Sequence, residues 1–244
     1  MADVMLALMR TLASLRQGKI WAYVLMPALF SLLLSIGLAV WVLGALVDQM
    51  MAYPPMTFLV GWGLLWLAHI LAYLGGWMAI FAVAYLSASL LAAILILPLM
   101  LKHLAQTEYQ DVAPMGRDSF FAATANSLWA SLLFIAGWLV SLPLWLVPGL
   151  SLIVPMLLMA WLNRRTFAYD ALSMHASDTE WQMLRQQGQG PMFMLGLSMA
   201  LLAHVPLVGL LVPALAALAF IHYGLESLRR TRAGALVTII GEPI

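Results

Sequence analysis

Residues 20–47 read IWAYVLMPALFSLLLSIGLAVWVLGALV, 28 consecutive positions without an Asp, Glu, Lys or Arg. A bilayer core of roughly 30 Å needs about 20 apolar residues of helix, so this stretch predicts a transmembrane helix. Trp21 and Trp41 stand near its ends. At 1.5 Å per residue they lie roughly 30 Å apart, which suits the two interfacial aromatic belts. Outward from this run, residues 49–101, 119–163 and 186–225 are also free of charged side chains. Only 9% of the 244 residues are charged and 64% are hydrophobic, where a soluble domain carries about 25% charged residues. Such runs cannot coat a water-soluble surface and predict a polytopic, all-α integral membrane protein, residues 1–244 forming one membrane domain.

The same composition excludes several functions. A net charge of +1 with five His offers no basic face for nucleic acid. The absence of Cys removes disulfides, Cys-based metal sites and thiol chemistry. Asp3 and Arg10 interrupt the first apolar stretch, so the N-terminus does not read as a cleavable signal peptide.

On a helical wheel of residues 3–17, Asp3, Arg10, Ser14 and Gln17 share one face and Val4, Leu8, Leu12 and Leu15 the other. This predicts an amphipathic interfacial helix over 1–18; the alternative is an ordinary cap packed on neighbouring helices. The first transmembrane helix follows at 20–47. Asp48, Tyr53, Pro54 and Pro55 supply a turn, after which Met56 to Leu101 is continuously apolar. That length predicts a long second transmembrane helix, 56–112, extending into the cytoplasm, or a span with a break near Gly75-Gly76.

Farther on, Val147 to Pro155 (VPGLSLIVP) repeats at Val205 to Pro213 (VPLVGLLVP) with five identities in nine. In each copy two prolines frame a short apolar turn: Pro148 and Pro155 around Gly149, Pro206 and Pro213 around Gly209. Prolines break helices, so each copy predicts a hairpin tip. The returning arms, Gly149 to Asn163 and Ala214 to Leu225, would be roughly 18–22 Å long as helix, short of the roughly 30 Å core. The expectation is two re-entrant, hemi-penetrating hairpins, 119–163 and 191–225, separated by a cytoplasmic polar segment, 164–190, and followed by a cytoplasmic tail, 226–244. Six full spans are the alternative. Backbone carbonyls freed by the prolines need cover at membrane depth, which favours tips meeting inside a homo-oligomer or around a wet path.

Positive charge assigns the sides. Arg10, Arg16 and Lys19, then Lys102 and Arg117, then Arg164, Arg165 and Arg185, then Arg229, Arg230 and Arg232 fill alternate polar segments, while the Asp48 loop has no Lys or Arg. The positive-inside rule places these clusters and both termini in the cytoplasm and the Asp48 loop outside.

Catalytic chemistry is missing from the sequence: it holds no HExxH, no paired intramembrane carboxylates and no phosphate-binding loop. Ser198 and His204 are six apart, which does not suit a Ser-His pair on one helix. His69, His204 and His222 read as hydrogen-bonded interior or interfacial residues. No catalytic residue, metal ligand or cofactor is expected. An anion pathway instead needs positive potential, from helix N-termini and a few basic side chains. Gly18-Lys19, at the turn into the first span, is one candidate; a glycine hinge with a snorkelling Lys is the other reading. Arg164-Arg165 is the second candidate, alongside a positive-inside anchor that touches lipid phosphate.

Together these residues resemble the CysZ-type sulfate permease family of bacterial membrane proteins. The features are Gly18-Lys19 leading into a helix with Pro27, a long second helix with Pro98 and Glu108, the Pro148-Gly149 tip, the Trp161 to Asp170 exit and the Pro206 to Pro213 tip. The resemblance implies two long transmembrane helices and two hemi-penetrating hairpins, a homo-oligomer in the inner membrane, and uptake of sulfate for cysteine synthesis. In that family a Gly, an apolar residue and Arg, often an Arg pair, bind sulfate at the start of the first span. Here the residues are Gly18-Lys19-Ile20, so an ammonium stands where a bidentate guanidinium fork is expected. A membrane-organising or interaction protein without transport is the alternative function.

Overall fold

The computed structural model describes residues 2–116, 120–147, 149–205 and 208–240. Its helices are α1 Ala2–Ser14, α2 Gly18–Trp41, α3 Leu43–Met51, α4 Met56–Gly61, α5 Leu65–Leu91, α6 Leu97–Thr107, α7 Phe120–Ser141, α8 Leu150–Ser173, α9 Asp178–Gln187, α10 Gln189–Leu202 and α11 Val212–Ile240. Among the described residues there is no β-strand. By length and composition, residues 18–41, 65–107 and 121–144 are long and apolar enough to cross a membrane. The third of these coincides with α7, the expected first arm of a hairpin.

Side chains are distributed as lipid solvation requires. On α2, Leu33 and Val40 are 69% and 71% exposed while Ser31 and Ser35 are buried. Ser31 Oγ donates to the Ala84 carbonyl at 3.3 Å, tying α2 to α5. Lipid tails are as apolar as Leu, so close packing of small residues and interhelical hydrogen bonds hold such helices together. The buried stripe of α5 fits that rule: Ala68, Ala72, Gly76, Ala84 and Ala88 recur at multiples of four, with Ile80 between.

The 20–47 run is one helix only as far as Trp41; Val42 ends it and α3 begins at Leu43. Gly75-Gly76 does not break the second helix. A Cβ on Gly76 would lie 2.8 Å from Leu43 Cδ1, and one on Gly75 2.5 Å from Met50 Cε, so the pair admits α3 against α5. The break falls earlier, between α4 and α5, where Gly63 has φ +78°, a value natural to Gly. Beyond α5 the helix widens into a π segment, Ala92–Ile96, before α6. Leu97 N–H reaches back to the Ala92 carbonyl, and the widened turn accommodates Pro98 in the continuing helix.

The chain turns where the repeat predicts interruptions, though not through all four prolines. Leu142–Leu146 forms a 3-10 segment, Gly149 adopts φ +88°, and α8 starts at Leu150. Pro155 lies inside α8 rather than ending it. It removes one backbone bond near the start of a helix that packs along α7, α10 and α11. In the second copy a 3-10 turn, Val208–Leu210, precedes α11, and Pro213 sits in the first turn of α11, where a missing N–H matters least. Pro148 and Pro206 lie outside the described residues. The returning helices do not stop with their apolar portions: α8 has 24 residues and α11 has 29.

At the centre is α11, with Ala214 to Ile221 buried without interruption; it packs on α8, α1, α10, α2 and α6. Helix α1 presents its polar face to α11. Ser14 is buried, Asp3 pairs with Arg230, and Arg10 lies 3.2 Å from Glu226. Met5, Met9 and Leu12 face outward, 61%, 60% and 68% exposed. The buried side of α1 is therefore mixed: Val4 and Ala7 join the main core with Leu8 and Leu15 packed against it, while the polar residues Ser14, Arg10 and Asp3 meet His222, Glu226 and Arg230 of α11.

Candidate anion-binding site

Ser177 starts α9 with a capping box. Its Oγ accepts from the Glu180 N–H at 3.3 Å, and Glu180 Oε2 accepts from the Ser177 N–H at 2.8 Å. Arg232 of α11 grips the same carboxylate, Nε to Oε1 at 2.8 Å and Nη2 to Oε2 at 3.2 Å, which holds Glu180 below the usual carboxylate range. Arg232 also donates to the carbonyls of Ala113 and His175, each at 2.8 Å. Helix α9 is thereby fixed relative to α8 and α11.

Fixing α9 brings Arg185 and Trp181 to the flank of α8 that carries Arg164, Arg165 and Tyr169. Together with Ala168, Gln189 and Met192 they enclose a cleft of about 170 Å³. Trp181 meets Tyr169 edge-on, with centroids 5.5 Å apart. The Arg164 guanidinium lies 6.0 Å from the Phe193 ring centroid, a cation–π distance that steadies it. No carboxylate lines the cleft. Among the described residues, Arg164, Arg165 and Arg185 are without an ion pair, whereas Arg10, Arg229, Arg230 and Arg232 all have carboxylate partners. Three guanidinium groups around one small cavity offer planar, bidentate donors to a tetrahedral oxyanion.

The Gly18-Lys19 candidate has different geometry. Both residues are exposed, and open space surrounds Gly18. Gln17, the N-cap, makes no side-chain cap bond. Its amide instead bonds Glu108 Oε1 at 2.8 Å and His103 Nε2 at 3.1 Å. The start of α2 therefore keeps free donors, with the Glu108 carboxylate held beside it. Neither Gly18 nor Lys19 lines the arginine cleft.

Three of the predicted tip residues, Pro155, Gly209 and Pro213, share the wall of a second cavity of about 700 Å³, bounded by α2, α5, α7, α8 and the turn before α11. Its polar lining comes from Ser31, Ser35, Tyr85 and His204. Gly149 is exposed and outside this wall. His204 Nδ1 is 2.7 Å from the Ala200 carbonyl, one turn back, and His69 Nδ1 is 3.0 Å from that of Leu65.

Sequence reasoning found Arg164 and Arg165 but not Arg185, Tyr169, Trp181 or Gln189. The available signal was the Ser177-x-x-Glu180 pattern, which marks a capped helix and so predicts that Arg185 is rigidly presented. Among the described residues no group of His, Asp or Glu is placed to hold a metal ion. A family model described as "Sulfate transporter CysZ/Etoposide-induced protein 2.4" matches residues 7–213. No curated protein and no solved structure matches the chain.

Proposed function

The chain belongs to the sulfate transporter CysZ/etoposide-induced protein 2.4 family, and from that premise we propose that it is a permease for a small inorganic oxyanion, with sulfate the leading substrate and cysteine synthesis its use. One observation carries the reading: Arg164, Arg165 and Arg185 surround a cleft without a carboxylate. Guanidinium groups repel one another, and proteins ordinarily neutralise such a cluster with Asp or Glu, as this chain does for its other paired arginines. Left open, the cluster suits a dianion that arrives and departs. Transport on this reading is binding and passage without a covalent step.

The proposed architecture has α2 and the 65–107 helix crossing an inner membrane. The α7–α8 and α10–α11 pairs enter from the cytoplasmic side as re-entrant hairpins, within a homo-oligomer whose chain termini are cytoplasmic. The 700 Å³ cavity, walled by Pro155, Gly209 and Pro213, supports this, since freed backbone groups at membrane depth need a protein-lined or wet space.

The deciding measurement is uptake of labelled sulfate into proteoliposomes, with phosphate and chloride as competitors. Saturable uptake that falls at least tenfold in Arg164→Gln and Arg185→Gln is expected, from the loss of charge-assisted contacts of about 1.5–3 kcal/mol. A well-folded preparation that passes none of these anions would overturn the permease and leave the membrane-organising role.

A further inference from the structure

The cavity of about 700 Å³ at the hairpin turns shares no residue with the arginine cleft. No Asp, Glu, Lys or Arg lines it, and apart from Ser31, Ser35, Tyr85 and His204 its wall is Ala, Gly, Leu, Met, Phe, Pro, Trp and Val. Leu32, Met78, Phe81, Leu152 and Val205 of that wall are exposed. The cavity therefore opens to the outside of the helix bundle, which beside α2 and α5 is the bilayer. At roughly 30 Å³ each, about twenty waters would be needed to fill it. A wall with so few polar groups suits hydrocarbon better.

The polar groups that are present share one character. Ser31 Oγ donates to the Ala84 carbonyl, Ser35 Oγ to the Ser31 carbonyl at 2.8 Å, and Tyr85 OH to Asn163 Oδ1 at 3.2 Å. Their protons are engaged, so they offer an occupant only oxygen lone pairs. His204 Nδ1 lies 2.7 Å from the Ala200 carbonyl. A carbonyl only accepts, so the proton of the neutral ring sits on Nδ1 and Nε2 is an acceptor. Pro213 has no N–H, so the Gly209 carbonyl, four residues back, receives no α-helical bond; both residues stand in the wall. The indole N–H of Trp138 is a donor beside these acceptors. Sulfate has no proton to give to such a wall, and an ammonium would enter an apolar space without a carboxylate. A neutral hydroxyl donates to the acceptors and can accept from the indole.

We propose that this cavity binds a neutral membrane lipid with a free hydroxyl head, of the acylglycerol class. The hydroxyl donates at His204 Nε2 and the Gly209 carbonyl, and the acyl chain fills the apolar remainder. A volume of about 700 Å³ falls within the roughly 300–1,000 Å³ of sites for small molecules. The bilayer supplies the ligand at the open rim. Once bound, it brings the donor that Pro213 withholds and holds the turn before α11 against α2 and α5. The site needs the chain to lie in a membrane and does not depend on the anion cleft.

The test uses full-length protein in phosphatidylcholine nanodiscs and 1-oleoylglycerol carrying a photoreactive diazirine in its chain. Saturable labelling that maps to Leu32, Phe81 or Phe134 is expected, with unlabelled 1-oleoylglycerol competing. The same lipid with both hydroxyls methylated keeps the chain and loses the donors. It should compete at least fivefold less well, the factor for one neutral hydrogen bond of about 1 kcal/mol. His204→Phe keeps a ring without the acceptor, so it should weaken competition by 1-oleoylglycerol and leave that by the methylated lipid unchanged. Ala82→Phe puts a ring into the cavity and should remove the labelling; the comparison of the two lipids on wild type stands if this variant fails to fold. Equal competition by the two lipids, or undiminished labelling of folded Ala82→Phe, overturns the proposal. So does an absence of saturable labelling, which leaves the cavity to water, and so does labelling only when the chains are diluted apart, which gives it to a second copy.

Discussion

Ser14 Oγ lies 2.9 Å from His222 Nε2, joining the first helix to the last across 208 positions of sequence. The surrounding donors give this contact a direction. Arg10 Nη1 donates to Tyr109 OH at 3.2 Å, and Tyr109 OH lies 2.9 Å from His222 Nδ1. At the other end Ser14 Oγ donates to Glu108 Oε1 at 3.1 Å. Since Ser14 spends its proton on Glu108, it accepts from His222 Nε2–H, and Nδ1 accepts from Tyr109. The chain Arg10 to Tyr109 to His222 to Ser14 to Glu108 therefore needs a neutral imidazole. Burial pushes His222 down to about 3 and Tyr109 up to about 12, keeping both uncharged.

This neutrality predicts acid lability. Between the ordinary His value of about 6.5 and about 3, the unfolded chain binds a proton at His222 that the folded chain does not. Stability is full above that window and falls as pH drops through it, by up to about 1.4 kcal/mol per pH unit. Denaturation of detergent-solubilised protein at pH 6.5 and pH 5 should show wild type losing roughly 1.5 kcal/mol more than His222→Gln. Parallel losses would contradict the neutral assignment.

Tyr109→Phe probes the same chain with the ring left in place. The Arg229 guanidinium, 4.7 Å from the ring centroid, keeps its cation–π contact. What is lost is the donor to His222 Nδ1 and the acceptor for Arg10. An unsatisfied buried acceptor costs about 1–3 kcal/mol, so a loss of that size is expected in the same denaturation assay. In a His222→Leu background the additional loss should be smaller, because the orphaned nitrogen is gone.

The charge-free runs made the membrane class readable, because lipid leaves no other use for them. The helix interruptions were partly readable: Gly149 and Gly209 lie between helices, while Pro155 does not break α8, since packing along three helices outweighs one lost backbone bond. The polarity of α1 was legible but its orientation was not. A wheel shows which residues share a face, and only the partner helix decides that Ser14 goes inward and Leu12 outward. Arg185 was hidden for a similar reason. Its place beside Arg164 comes from the Glu180–Arg232 clamp, which joins residues 52 apart in the chain.

Gly196→Ala tests the closest approach between α10 and α8. A Cβ there would stand 2.5 Å from the Ala160 carbonyl oxygen, a backbone atom that cannot swing aside. Asn163, whose amide donates to the Gly196 carbonyl at 3.4 Å, would move with it. Overpacking of this kind typically costs about 1–3 kcal/mol. A clear fall in melting temperature is expected, and an unchanged one would mean that the helices do not meet this closely.

Topology can be read against a clean background because the chain has no Cys. Single cysteines at exposed Gln110 and Gln182 should react with a membrane-impermeant reagent from one side, and at exposed Gln49 from the other. Re-entrant hairpins predict that a cysteine at Gly149 does not label from the Gln49 side. Labelling there as readily as at Gln49 would replace the hairpins with full spans.

Lys19 and Arg185 separate the two candidate anion sites. Lys19→Gln removes the ammonium from the start of α2 but leaves its backbone donors. The neighbouring Glu108 carboxylate, held by Gln17 and Ser14, disfavours an anion at that helix start. Arg185→Gln opens one wall of a cleft that contains no carboxylate. If the cleft holds sulfate, calorimetry should show Arg185→Gln weakening binding about tenfold or more, and Lys19→Gln weakening it only slightly. Arg185→Lys should recover part of the affinity, because it restores charge without the bidentate fork. Wild-type affinity should fall with added sodium chloride as the guanidinium groups are screened. The reverse order, with a tenfold loss in Lys19→Gln and none in Arg185→Gln, would move the anion site to the start of α2.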